Sequence, residues 1–113
     1  MTSSPPRAVF SYSGSLDGAL HILGIDDIAT GQPNSTSFRF ADAFAPPVRH
    51  HATSIIIFHN HPSGEPEPSP ADISTTTDFI QAGKLMQITV LDHIIIGQNR
   101  FTSIRERGLL KFA

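Results

Sequence analysis

Apolar residues along this chain fall into short blocks rather than one long periodic run. Ser54-Ile55-Ile56-Ile57-Phe58-His59 is β-branched and does not alternate, which predicts a strand covered on both faces. Met86 to Leu91 and His93 to Ile96 read as two more strands, then a Gly97-Gln98-Asn99 turn and a strand from Phe101 to Ile104. Ser69 to Gly83 is the best helix, with Ile73, Thr76, Thr77 and Ile80 at helical spacing and Phe79 beside them. Ser69 suits the N-cap, Pro70 the first helical position and Gly83 the end. Three consecutive threonines weaken this helix intrinsically, so packing must hold it.

The first third is looser. Ala8 to Tyr12 and Ala19 to Ile25 read as strands, and Gly31-Gln32-Pro33-Asn34 as a turn. Asp42 to about Ala52 reads as a helix with Phe44 and Val48 on one face. Pro46 and Pro47 remove two backbone donors, so this helix should begin near them or kink there. Residues 1–7 read as a loose polar tail, and Arg105 to Phe112 as one helical turn. The expectation is one α+β domain over residues 1–113.

Composition narrows the function classes. The chain has 113 residues, 39% of them hydrophobic, enough for a single packed core. Charged residues make up 16%, with formal net charge −2. That balance argues against direct nucleic-acid binding and against an anionic-membrane patch. No cysteine is present, which removes disulfides, thiolate metal sites and a cysteine nucleophile, and fits a cytoplasmic setting. No run approaches the ~20 apolar residues of a membrane helix.

The chemistry concentrates in His59-Asn60-His61-Pro62-Ser63-Gly64 and Ser69-Pro70-Ala71-Asp72. Histidines at i and i+2 of a strand share one face, so their imidazoles can converge on a cation. Asp72, on the first turn of the next helix, can return as an oxygen ligand. Two His and one carboxylate is the donor set of a catalytic zinc site, and the same ligand types also suit Fe²⁺ or Ni²⁺. Ser69 and Asp72 are also spaced as a helix cap, and Pro-Ser-Gly as a plain turn. His93 reads as a structural histidine or as an orienting partner for a ligand. Asn60 is expected on the opposite face, bonding the loop. His50 and His51 are expected at a helix end, and Glu65 and Glu67 as solvent-facing loop charges.

The spacing His59-x-His61, seven residues, Ser69, two residues, Asp72 resembles the JAMM metal motif of the JAB/MPN metallopeptidase family. His-Asn-His-Pro-Ser-Gly, Pro68-Ser69-Pro70-Ala71-Asp72-Ile73 and Leu91-Asp92-His93-Ile94-Ile95-Ile96-Gly97 are similar to its RadC-like branch, from about Phe38 to Leu110. The resemblance implies a JAB/MPN-like (cytidine-deaminase-like) domain, a central mixed sheet flanked by helices. It implies one Zn²⁺ on His59, His61 and Asp72, with Ser69 stabilising an oxyanion. It also implies attack of water on a peptide or isopeptide bond, assisted by an upstream glutamate base.

The sequence departs from the family at that glutamate. None occurs before Glu65, and Ser15 to Asp27 offers only Asp17, Asp26 and Asp27. Rough alignment puts the position near Gly18, which makes Asp17 the candidate replacement base. The expectations are thus a weak zinc hydrolase of a protein or peptide substrate, or a zinc-bearing interaction module that has lost its base. A link to DNA repair comes only with the RadC name.

Overall fold

The computed structural model describes residues 10–28 and 39–112. In chain order the elements are β1 (Ser11–Leu16), β2 (Ile22–Asp27), α1 (Phe40–Arg49), β3 (Ser54–Asn60), α2 (Pro70–Met86), β4 (Thr89–Ile96) and β5 (Phe101–Ser103). The five strands form one mixed sheet in the order β2-β1-β3-β4-β5. β1 lies antiparallel to β2 and β3, and β4 antiparallel to β5, while β3 and β4 run parallel through the α2 crossover. The expected α+β architecture with a mixed central sheet is what forms.

Both helices cover the same face. Phe79 of α2 meets Phe40 edge-on at 4.9 Å and Phe44 at 5.7 Å, which packs α1 against α2 over the sheet. Phe79 between the helices and Ile55, Ile57, Ile95 and Ile104 beneath them are fully buried. Burying each large side chain contributes about 1.5–3 kcal/mol. A threonine costs a helix at most ~0.7 kcal/mol, so packing overrides the three threonines of α2.

Several local expectations need correction. β3 is not covered on both faces: Ile55 and Ile57 are buried, whereas Ile56 and Phe58 are half-buried on the uncovered side. Burial alternates where the sequence does not, because nothing among the described residues covers the second face. Met86 to Leu91 and His93 to Ile96 merge into one strand beginning at Thr89, since Asp92 is satisfied by the backbone N–H groups of His93 and Arg105 and by the Ser103 hydroxyl. The early strands sit later than expected. β1 begins at Ser11 and β2 at Ile22, with Asp17 to Leu20 forming the turn between them. α1 holds Pro46 and Pro47 inside it, both buried. The expected Gly31–Asn34 turn and the 1–7 tail lie outside the described residues.

α2 also runs past its expected end. Gly83 is interior, and the helix closes at Gln87 in the left-handed region (φ 59°). Gly83 is needed for close approach instead, because a Cβ there would lie 2.4 Å from the Ile88 carbonyl oxygen.

Candidate metal centre

His59 comes from the end of β3 on the helix-covered face, and His61 follows directly after the strand, its N–H still bonded to Ile96 O beside it. Asp72 comes from the first turn of α2. The chain between them is pinned at three points. His61 N–H donates to Ile96 O at 3.1 Å, Gly64 N–H to His61 O at 2.9 Å, and Gln98 N–H to Gly64 O at 2.8 Å. Gly97 lets these backbones meet, since a Cβ on it would stand 2.4 Å from Gly64 O.

His59, His61 and Asp72 each offer a ligand atom, and these atoms lie within 4.8 Å of one another. His61 Nε2 is 2.9 Å from Asp72 Oδ2, and His59 Nε2 is 3.1 Å from Asp72 Oδ1. The second contact is close but off-line, so His59 Nε2 has no hydrogen-bond partner although the residue is only 3% exposed. A buried nitrogen without a partner is costly unless something binds it. The donor set therefore fits a divalent cation: two imidazole nitrogens and one carboxylate converge, and one nitrogen is left open.

The cap and the candidate ligand group share Asp72. Ser69 Oγ accepts from Asp72 N–H at 3.1 Å, and Asp72 Oδ2 accepts from Ser69 N–H at 2.7 Å. The same carboxylate then faces both histidines. Burial pushes its pKa up, but the adjoining His59 imidazole and the Ser69 backbone and side chain outweigh that and hold it well below the usual carboxylate range. Asp72 is an anion at neutral pH.

Behind the histidines lies a polar chain that sequence reasoning caught only in part. His59 Nδ1 is 2.6 Å from His93 Nε2, and His93 Nδ1 is 2.5 Å from Thr76 Oγ1. Both His93 and Thr76 are buried. Burial pushes the His93 pKa down to about 3, so the ring is neutral. From sequence, His93 reads as a structural histidine or an orienting partner, whereas Thr76 reads only as part of the helix face. Its i+4 spacing from Asp72 was the available signal. Asn60 is buried and accepts from Phe10 N–H at 2.7 Å, tying the residue just before β1 to the end of β3.

Asp17 is not at the site. Ser11 pairs with His59 and Leu16 with Ser54, so Asp17 lies beyond the opposite end of β3. At ~3.3 Å per residue that separation is about 20 Å. Asp17 instead caps its own turn, accepting from the Ala19 and His21 backbones, and a Gly18 side chain would point into open space. The N-terminal acids had no local marker of depth in the sheet, and register decided it. Asp26 pairs with Ser13, which pairs with Ile57, so it shares the face of His59; its carboxylate sits 3.1 Å from His50 Nε2. Asp27 lies on the other face. Glu65 is paired with Arg100 and Glu67 with Arg107.

Residues 11–109 match the family model described as RadC-like JAB domain. The chain belongs to that family. The match takes in β1 and β2 as well as the motif-bearing half, so the family likeness begins well before Phe38. A "UPF0758 protein" of Moorella thermoacetica is 47% identical over 96 residues, 85% of this chain and 42% of that protein. Namesakes from Roseiflexus castenholzii and Desulfitobacterium hafniense are 46% and 44% identical, over 40% and 42% of their lengths. The chain thus spans under half the length of these curated relatives. Among the described residues no helix is long and apolar enough to cross a membrane.

Proposed function

We propose that this RadC-like JAB domain binds one zinc ion through His59, His61 and Asp72 and acts as a weak hydrolase of peptide or isopeptide bonds. The observation that carries the reading is the convergence of these three ligand atoms around the unpartnered Nε2 of His59. Zinc, when bound, lowers the pKa of a coordinated water and polarises a carbonyl. The chain's own groups do the rest. Ser69 Oγ is oriented by the Asp72 N–H, and its hydroxyl hydrogen is left to stabilise charge developing on a substrate oxygen. Asp72 stays ionised as ligand and cap. Asp26 is the one of the three upstream aspartates facing the site's side of the sheet, and His50 already engages it.

That engagement, with no glutamate before Glu65, is why turnover should be low, since general-base assistance is typically worth ~10²–10⁴-fold. The same observation favours a second reading, a zinc-bearing interaction module without hydrolysis. One experiment separates them. Zinc-loaded protein is assayed against a fluorogenic peptide and isopeptide panel, beside D26N, D17N and the H59A/H61A double variant. The hydrolase reading expects about one zinc per chain, slow turnover lost in D26N and unchanged in D17N, and neither zinc nor turnover in the double variant. Full zinc with no turnover selects the module. A folded wild type that takes up no zinc overturns both.

A further inference from the structure

We propose that Thr76 and His93 are positioning residues that hold His59 in its Nδ1-protonated tautomer, with the Nε2 lone pair open to the metal. The inference rests on the zinc reading above and extends it to residues outside the ligand set. Hydrogen-bond direction carries it.

A carbonyl oxygen can only accept. His61 Nδ1, 2.9 Å from Glu65 O, must therefore donate, which leaves Nε2, 2.9 Å from Asp72 Oδ2, as the atom that would ligate. His59 has no such carbonyl. Its Nδ1 faces another imidazole, His93 Nε2 at 2.6 Å, and either ring nitrogen of such a pair can be the donor. The direction is set one step further away. Thr76 Oγ1 donates its single proton to the Asp72 carbonyl at 2.7 Å, four residues back along α2, so it can only accept at His93 Nδ1. His93 then carries its proton on Nδ1 and presents Nε2 as an acceptor, and His59 must donate from Nδ1. This chain of donors puts a His59 proton on Nδ1, so the metal would be met by Nε2, which has no hydrogen-bond partner and lies 3.1 Å from Asp72 Oδ1. One turn of α2 thus supplies the carboxylate ligand and, four residues on, the hydroxyl that fixes the tautomer of the histidine opposite.

Thr76→Val tests this, because it replaces the hydroxyl with a methyl group of similar size. His93 Nδ1–H would lose its acceptor, favouring the Nε2–H tautomer, which donates to His59 Nδ1 and sends the His59 proton to Nε2, where it blocks the metal. Zinc affinity is read by competition with a chromophoric chelator, and ligand geometry by the visible spectrum of the cobalt-substituted protein. Thr76→Val should weaken zinc binding by about 10–100-fold, the usual cost of losing a group that orients a ligand. Thr76→Ser, which keeps the hydroxyl, should restore most of it and the wild-type cobalt spectrum. His93→Gln, whose amide oxygen can still accept from His59, should bind more tightly than His93→Leu. Long-range ¹H–¹⁵N spectra of metal-free wild type near neutral pH need no variant and should show His59 protonated on Nδ1. Wild type that binds no zinc overturns the zinc reading itself. Wild type that binds zinc overturns the tautomer proposal alone if Thr76→Val binds as tightly, if Thr76→Ser is as weak as Thr76→Val, if Leu and Gln at 93 are equal, or if His59 is protonated on Nε2.

Discussion

Gly83→Ala sets two known effects against each other. At an interior helix position facing solvent, alanine would be favoured by about 0.8–1 kcal/mol, since glycine loses more backbone freedom on folding. In this fold Gly83 is buried, and the added Cβ would lie 2.4 Å from Ile88 O and 3.1 Å from Val90 Cγ2. The first contact is with backbone, so no rotamer relieves it, and α2 must move away from β4 by roughly an ångström. That movement stretches the bond from Ile88 N–H to Gly83 O, now 2.9 Å. Overpacking of this kind costs about 1–3 kcal/mol and a spoiled hydrogen bond about 1 more. Net of the helix gain, Gly83→Ala should lose about 1–3 kcal/mol. With a urea slope of ~1–3 kcal/mol/M, the midpoint should fall by roughly 1 M with the slope unchanged. Gly18→Ala is the control: it meets nothing within 4 Å and should stay within about 0.5 kcal/mol of wild type. A Gly83→Ala protein as stable as wild type, or more so, would refute the close-approach argument.

Ser69→Ala should lose about 0.5–2 kcal/mol in the same urea assay, because the N-terminal amide at Asp72 loses its cap, while Ser69→Asp should keep most of that stability. Equal loss in both would mean that the hydroxyl acts on something other than the cap. Metal-free protein should also lose stability as pH falls from 7 to 5. The unfolded chain protonates His93 below its ordinary 6.5, whereas burial keeps the folded ring neutral down to about 3, so stability present above pH 6.5 drains as pH drops through this window. To pH 5 this amounts to about 2 kcal/mol, which urea midpoints in chelator should show for wild type and not for His93→Gln. Equal losses in the two proteins would remove His93 as the cause.

Features that depend on neighbours a few residues apart were legible in the sequence. The Ser69–Asp72 cap, Pro70 in the first turn and the shared face of His59 and His61 follow from local geometry, and each forms as read. The ligand group needed one further condition, that a short loop return α2 to the end of β3, and Gly64 and Gly97 supply it. Other features were set by partners distant in sequence. Asp17 looked like a replacement base by its position in the chain, but the antiparallel register carried it to the far end of the sheet. Gly83 looked like a helix stop and proved to be a point of contact with Ile88. Ile55 to Phe58 carry no alternation, yet only every second one is buried, because both helices pack on one face. Thr76 looked like filler on that helix until β4 brought His93 within hydrogen-bond reach. Local sequence determined the candidate ligands and the cap because their geometry closes within a turn or a strand. Register and layer packing alone decided which acids, hydroxyls and imidazoles stand behind those ligands, since these depend on contacts between segments tens of residues apart.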